Sequence, residues 1–185
     1  MEQETSDKLF RVLSKDVLKE NLAKAGLYTL AYESLLHSIV HRPKKFLTMA
    51  GTVADEEYKA EVIALYPQSE FIASCLWLQK HGVLTAEDVK EIRAIRKHRT
   101  DIAHEPINVL LDTENQVDET KLMTIYQLLA RIDQWWISEF EIPANPDFDG
   151  QEIDPGGLQS GSMILLKYLI SVVCDKDVNA PINAE

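Results

Sequence analysis

Residues 119–140 read ETKLMTIYQLLARIDQWWISEF, and their spacing decides the fold class. Leu122, Ile125, Leu129, Ile132 and Trp136 recur every three or four positions and share one stripe, which Leu128, Trp135 and Phe140 widen. That is the period of an amphipathic α-helix with one face turned to a core. Working outward, the same period recurs nearly everywhere. Residues 7–25 align Phe10, Leu13 and Val17 and stop at Gly26, which suits a C′ glycine. Residues 27–41 repeat the pattern with Leu27, Ala31, Leu35 and Ile39, and Pro43 is expected to end that helix. Residues 44–52 read as a loop, and a shorter helix from Ala54 to Tyr66 closes at Pro67. Ser69 is placed to cap a helix that carries Phe71, Ile72, Cys75, Leu76 and Leu78 and ends at Gly82. Thr85 opens the next helix as Thr-x-x-Asp with Asp88, a capping-box arrangement, and Pro106 stops it near His104 or Glu105. Residues 107–117 read as a loop with one short extended piece.

Composition changes after Ile142: four of the seven glycines and three of the seven prolines lie between Pro143 and Gly161. The apolar helix 162–174 is expected to dock back on what precedes it. No internal repeat and no strand pair emerges. The reading is all-α: an up-and-down helical bundle over 1–142, an acidic Gly/Pro-rich linker over 143–161, and a C-terminal helix with a short tail over 162–185.

With 185 residues, 45% of them hydrophobic and 26% charged, the chain is long and apolar enough to bury one continuous core. A net charge of −11 argues against a protein that coats nucleic acid over its whole surface, but leaves room for a local basic site. The start, MEQETSDK, carries no basic region ahead of an apolar stretch, so no secretory signal is expected. No apolar run approaches the ~20 residues that span a bilayer; Met163–Cys174 is too short and is broken by Lys167. No membrane partner is therefore expected. Cys75 and Cys174 form no CxxC pair and read as reduced, buried small hydrophobes, which points to a cytoplasmic location.

Val89–Pro106, VKEIRAIRKHRTDIAHEP, reverses the charge of the chain. Five basic residues at 90, 93, 96, 97 and 99 face one acid, Glu91, between Lys90 and Arg99. At 100° per residue, Ile92, Ile95, Ile102 and Ala103 define the expected core stripe, and Arg99 projects within that arc. Arg93, Arg96, Thr100 and His104 form an adjacent stripe. A guanidinium on an apolar face must be paired, reach a cleft or sit at an interface, because burying it alone is very costly. His104 stands in the last turn, where the negative end of the helix dipole favours an imidazolium. An Arg and a titratable His opening onto one cleft suit metal-free phosphodiester cleavage. The imidazole can take the ribose 2′-hydroxyl proton or protonate the leaving oxygen, and the guanidinium can hold the charge growing on phosphate.

The hexapeptide Arg99-Thr-Asp-Ile-Ala-His104 resembles the Arg-(polar)-x-x-x-His signature of the HEPN superfamily. The wider stretch over residues 82–106, GVLTAEDVKEIRAIRKHRTDIAHEP, is similar to one shared by HEPN proteins and mannitol-operon-repressor-like families. The resemblance implies a helical bundle that forms a homodimer, so that both copies of the Arg/His pair face one cleft. It also implies a metal-independent endoribonuclease of the toxin, antiphage or RNA-processing kind, with RNA as substrate, no cofactor, and an antitoxin or regulatory protein as a possible partner. Thr100 stands where active members most often carry Asn. Glu105 and Pro106 replace the His-x-Tyr extension of the branch paired with AMPylating antitoxins.

Beside these readings stand plainer ones. Arg99 and His104 can instead be structural fasteners at a helix or dimer interface, in a non-catalytic or repressor-like regulatory module. Glu33 is the candidate partner of Arg99, as an orienting acid or as a structural counter-ion. Arg93, Arg96 and Thr100 are candidate phosphate ligands, or part of a solvated face with Glu87 and Glu91 as partners. Glu33, His37 and His41 recur every four residues, but without an HExxH pattern no metal is expected. Trp135, Trp136 and Tyr126 read as core or dimer packing rather than as a base-stacking platform.

Overall fold

The computed structural model describes residues 14–48, 52–111 and 117–175. Every regular element among them is helical, in agreement with the all-α reading. Helix α1 (Lys15–Leu36) is capped by Ser14, whose side chain accepts the Val17 N–H. It runs through Gly26, which the sequence pattern makes a stop signal. Gly26 does not adopt a positive φ, and the packing of Leu27, Tyr28, Ala31, Tyr32 and Leu35 on the core outweighs the ~1 kcal/mol that a mid-helix glycine costs. The beginning proposed for that first helix, residues 7–13, lies outside the described residues.

Pro43 does not end the rod either. Residues His37–His41 widen into a π-helical segment, and the chain continues as α2 (Arg42–Thr48), so residues 44–48 of the expected loop are helical, while 49–51 lie outside the described residues. The Arg42 N–H bonds the carbonyl of His37, five residues back. Widening the helix one turn ahead of a proline re-registers the carbonyls, so the ring meets no carbonyl in its usual clashing position and its missing N–H orphans no regular bond. The same device recurs after α7 (defined below). Ile137–Glu141 is π-helical, Ile142 bonds back to Ile137, and Pro143 follows.

Helix α3 (Thr52–Glu61) passes through a 3₁₀ turn at Ile63–Leu65 to α4 (Glu70–Lys80), which Ser69 caps as expected. At its end Gly82 takes φ 73°, the left-handed conformation that turns the chain, and the Val83 N–H reaches back to Leu78 at 3.0 Å. Helix α5 (Ala86–His104) opens on the Thr85/Asp88 capping box. Pro106 stops it but also serves as the first residue of a short helix, α6 (Pro106–Leu111), where a loop is expected from sequence. Proline at that position lacks only an N–H that would have no helical partner. Residues 112–116 of the expected loop lie outside the described residues.

Helix α7 (Glu119–Trp136) buries the stripe that opened the sequence analysis: Leu122, Ile125, Leu128, Leu129, Ile132 and Trp136. It packs against α1, α5 and α8 (Gly161–Cys174), and α8 also lies on α1 through buried Met163, Leu166 and Ile170. Between Ile142 and Ser160 the chain makes one α turn and two 3₁₀ turns, at Pro146–Phe148 and Pro155–Gly157. Trp135, Trp136 and Phe140 join Phe46 and Trp77 in one aromatic cluster with centroids 4.4–6.4 Å apart. The two tryptophans of α7 are thus packing residues.

Candidate functional site around Arg99

The crossing of α1 and α5 positions the site. Tyr28, fully buried, donates its hydroxyl to the Ile95 carbonyl at 3.3 Å and meets the His98 ring edge-on at 4.9 Å. One turn further along each helix, Arg99 Nη2 donates to Glu33 Oε1 at 2.8 Å, and its guanidinium lies 5.7 Å from the centre of the Tyr32 ring. Burial raises the Tyr32 phenol above its usual range, and the cations of Arg96 and Arg99 pull against that rise. The pair itself stays in reach of solvent, with Arg99 34% and Glu33 47% exposed. The Arg99 Nε, in contrast, is buried and has no hydrogen-bond partner.

Arg99 is only at the margin of the buried arc. Ile92, Ile95 and Ile102 are buried as expected, but Ala103 is exposed. The arc centres nearer His98, so Arg99 falls on its edge, and its long stem carries the charge outward to Glu33. His98 is the residue that sequence reading passed over. Its Nε2 accepts the Asp118 N–H at 3.1 Å, and burial, followed by the Lys121 charge, lowers its pKa. The signal was present: positions 95, 98 and 102 have core spacing, and the basic run around them masked it.

His104 is exposed at the end of α5 and has no partner among the described residues. Five helical positions from Arg99 correspond to about 7.5 Å of rise and roughly 140° of rotation. Within one chain the two side chains therefore diverge. Arg93 is exposed, and Arg96 stacks over the Phe71 ring at 4.9 Å. The Thr100 hydroxyl donates to the Arg96 carbonyl at 3.0 Å, inside its own helix. Of the proposed counter-ions, Glu87 pairs with Lys90 at 2.7 Å.

A pocket of about 610 Å³ opens on the other side of Glu33, between the α1–α2 rod and the helices α7 and α8. Glu33 lines it, but Arg99 and His104 do not. The His37 and His41 rings lie 5.7 Å apart, and no group of three metal-ligating side chains occurs among the described residues. Cys75 is free and buried, with its thiol pushed up to about 12 by desolvation; Cys174 is half-buried. Among the described residues no helix is long and apolar enough to cross a membrane. Comparison with protein-family models, curated proteins and solved structures gives no match to this chain.

Proposed function

We propose that this chain is a HEPN-like, metal-independent endoribonuclease acting as a homodimer, with Arg99 binding the scissile phosphate and His104 transferring protons. The observation that carries the reading is a guanidinium fixed by a single carboxylate at a solvent-reachable edge of the core. An ion pair this exposed contributes no more than about 1 kcal/mol to stability, too little to explain an arginine placed against an apolar arc with one buried N–H unpaired. Glu33 orients the guanidinium, and the N–H groups it leaves free are available to phosphate oxygens.

In the reaction, His104 accepts the 2′-hydroxyl proton as the 2′-oxygen attacks phosphorus. Arg99 stabilises the pentacoordinate phosphate, and the 5′-oxygen leaves with a proton from an imidazolium. The products are a 2′,3′-cyclic phosphate and a 5′-hydroxyl. Because Arg99 and His104 diverge on one helix, the reading requires a second copy to complete the cleft. Leu30 stands on the same exposed stripe of α1 as Glu33, and exposed Ile107 follows His104 by three residues. These apolar groups are suited to a subunit contact beside the site.

A regulatory, non-catalytic module is the second reading. What favours it is the outer face of α8, where Ile164, Leu165, Tyr168 and Val172 are all more than half exposed. One experiment separates the two: single-stranded RNA and tRNA incubated in EDTA with wild type, Arg99→Ala and His104→Ala, alongside sedimentation to establish the oligomeric state. Cleavage by a wild-type dimer that is lost in both variants supports the nuclease. Equal cleavage by wild type and His104→Ala, or a monomer that cuts, overturns it.

A further inference from the structure

The 610 Å³ pocket is of a size that holds small organic ligands, and the nuclease reading does not use it. Its wall is one continuous stripe of the α1–α2 rod: Glu33, Ser34, His37, Ser38, Arg42 and Lys45. Opposite stand Asp133 of α7 and the serines Ser160 and Ser162, and the apolar floor is Leu129, Met163 and Leu166.

Two carboxylates and two permanent cations line it, and they are not equally engaged: Arg42 is shared by Asp133 and Glu141, which leaves Lys45 as the cation of the wall that no carboxylate among the described residues holds. Glu33 is held by Arg99 at 2.8 Å. One Asp133 oxygen accepts from Arg42 at 3.2 Å and the other from the Ser160 N–H at 3.0 Å. Both carboxylates are thus already engaged. Lys45 makes no ion pair among the described residues, and the His37 ring lies 5.7 Å from that of His41. The Ser38 hydroxyl has no hydrogen-bond partner among the described residues. Ser162 shares its hydroxyl only with Ser160, at 2.9 Å. Apart from burial, every influence that lowers the His37 pKa is a neighbouring cation: His41, Arg42 and Lys45. A widened helical segment at His37–His41 brings these groups to the pocket wall, and π-turns are frequent at functional sites.

We infer that this pocket binds a small phosphate monoester. Lys45, His37 and the Ser38 and Ser162 hydroxyls would take the phosphate oxygens, and Leu129, Met163 and Leu166 would take the organic body. Phosphate suits this set better than carboxylate, because its three terminal oxygens can use these separate donors. The pocket shares Glu33 with the Arg99 site but not its chemistry, so it stands whether or not the chain cuts RNA.

The test is calorimetric titration of the full chain with phenyl phosphate, and in parallel with phenol, inorganic phosphate and succinate. Saturable binding of phenyl phosphate is expected, tighter than that of inorganic phosphate or succinate, with no binding of phenol. Lys45→Ala should weaken it about tenfold, the loss of one charge-assisted hydrogen bond. Lys97→Ala, an exposed lysine outside the pocket, should leave it unchanged, and RNA cleavage should be the same in Lys45→Ala as in wild type. Absence of saturable phenyl phosphate binding overturns the inference, as does equal affinity in wild type and Lys45→Ala. Succinate binding as tightly as phenyl phosphate overturns the choice of phosphate.

Discussion

Arg42 and Asp133 meet at 3.2 Å and tie the proline-bearing turn of the α1–α2 rod to the last turn of α7. Arg42 also bonds Glu141, at the end of the second π-helical segment, and lies over Trp136 at 5.1 Å. The other Asp133 oxygen holds the backbone ahead of α8. Three segments distant in sequence therefore converge on one carboxylate that is only 10% exposed.

Asp133→Ala removes both bonds and leaves the Ser160 N–H and part of Arg42 without partners. The expected loss is roughly 2 kcal/mol, below the full value for breaking a buried pair because Arg42 keeps Glu141 and some solvent. Urea unfolding monitored by tryptophan fluorescence measures it. A change within ±0.5 kcal/mol would show that the convergence does not matter to stability.

Two glycines should respond in opposite directions. Gly26 is helical, and a Cβ there meets nothing within 4 Å. Gly26→Ala is expected to stabilise by about 0.5–1 kcal/mol. At Gly82 the space is equally open but φ is 73°, so Gly82→Ala should destabilise by about 1 kcal/mol. Paired thermal melts read both signs, and a stabilising Gly82→Ala would contradict the left-handed turn.

Stability should fall as the solution is acidified through the histidine range. The His98 pKa is lowered in the fold, chiefly by burial, against about 6.5 in an unfolded chain. The unfolded state then binds more protons between those two values. The contribution is complete above about pH 6.5 and is lost as pH falls through the lowered folded pKa. His37 is shifted in the same direction, so the comparison of wild type with His98→Gln isolates the effect. The variant should show a shallower decline over this window, and parallel curves would remove His98 as a contributor.

Glu33→Ala separates orientation from stability. The pair is exposed, so unfolding free energy should change by less than about 1 kcal/mol. If Glu33 orients Arg99 for phosphate, the cleavage rate should drop about tenfold, with Glu33→Gln partly restoring it. Unchanged cleavage would leave Glu33 as a counter-ion only.

Local chemistry was legible without coordinates. The Ser69 cap, the Thr85/Asp88 capping box, the turn at Gly82 and the buried stripe of α7 all follow from short-range rules that the sequence states directly. The same rules missed the short helix that begins at Pro106, and they misread Gly26 and Pro43 as stops. Each marks only a local cost, and whether a helix continues depends on what its flanking residues bury and on whether a π-turn can re-register the bonds.

The amino-acid order alone determined an all-helical chain, its apolar faces and one basic helix in an acidic protein, because helical period and charge are properties of neighbouring residues. Tertiary structure decided that Arg99 meets Glu33, that His98 rather than Ala103 turns inward, and that a pocket forms beside Arg42 and Lys45. Those outcomes depend on how α1 crosses α5 and where α8 returns to α1 and α7. Such relations join residues dozens of positions apart, and packing sets them where no local period can.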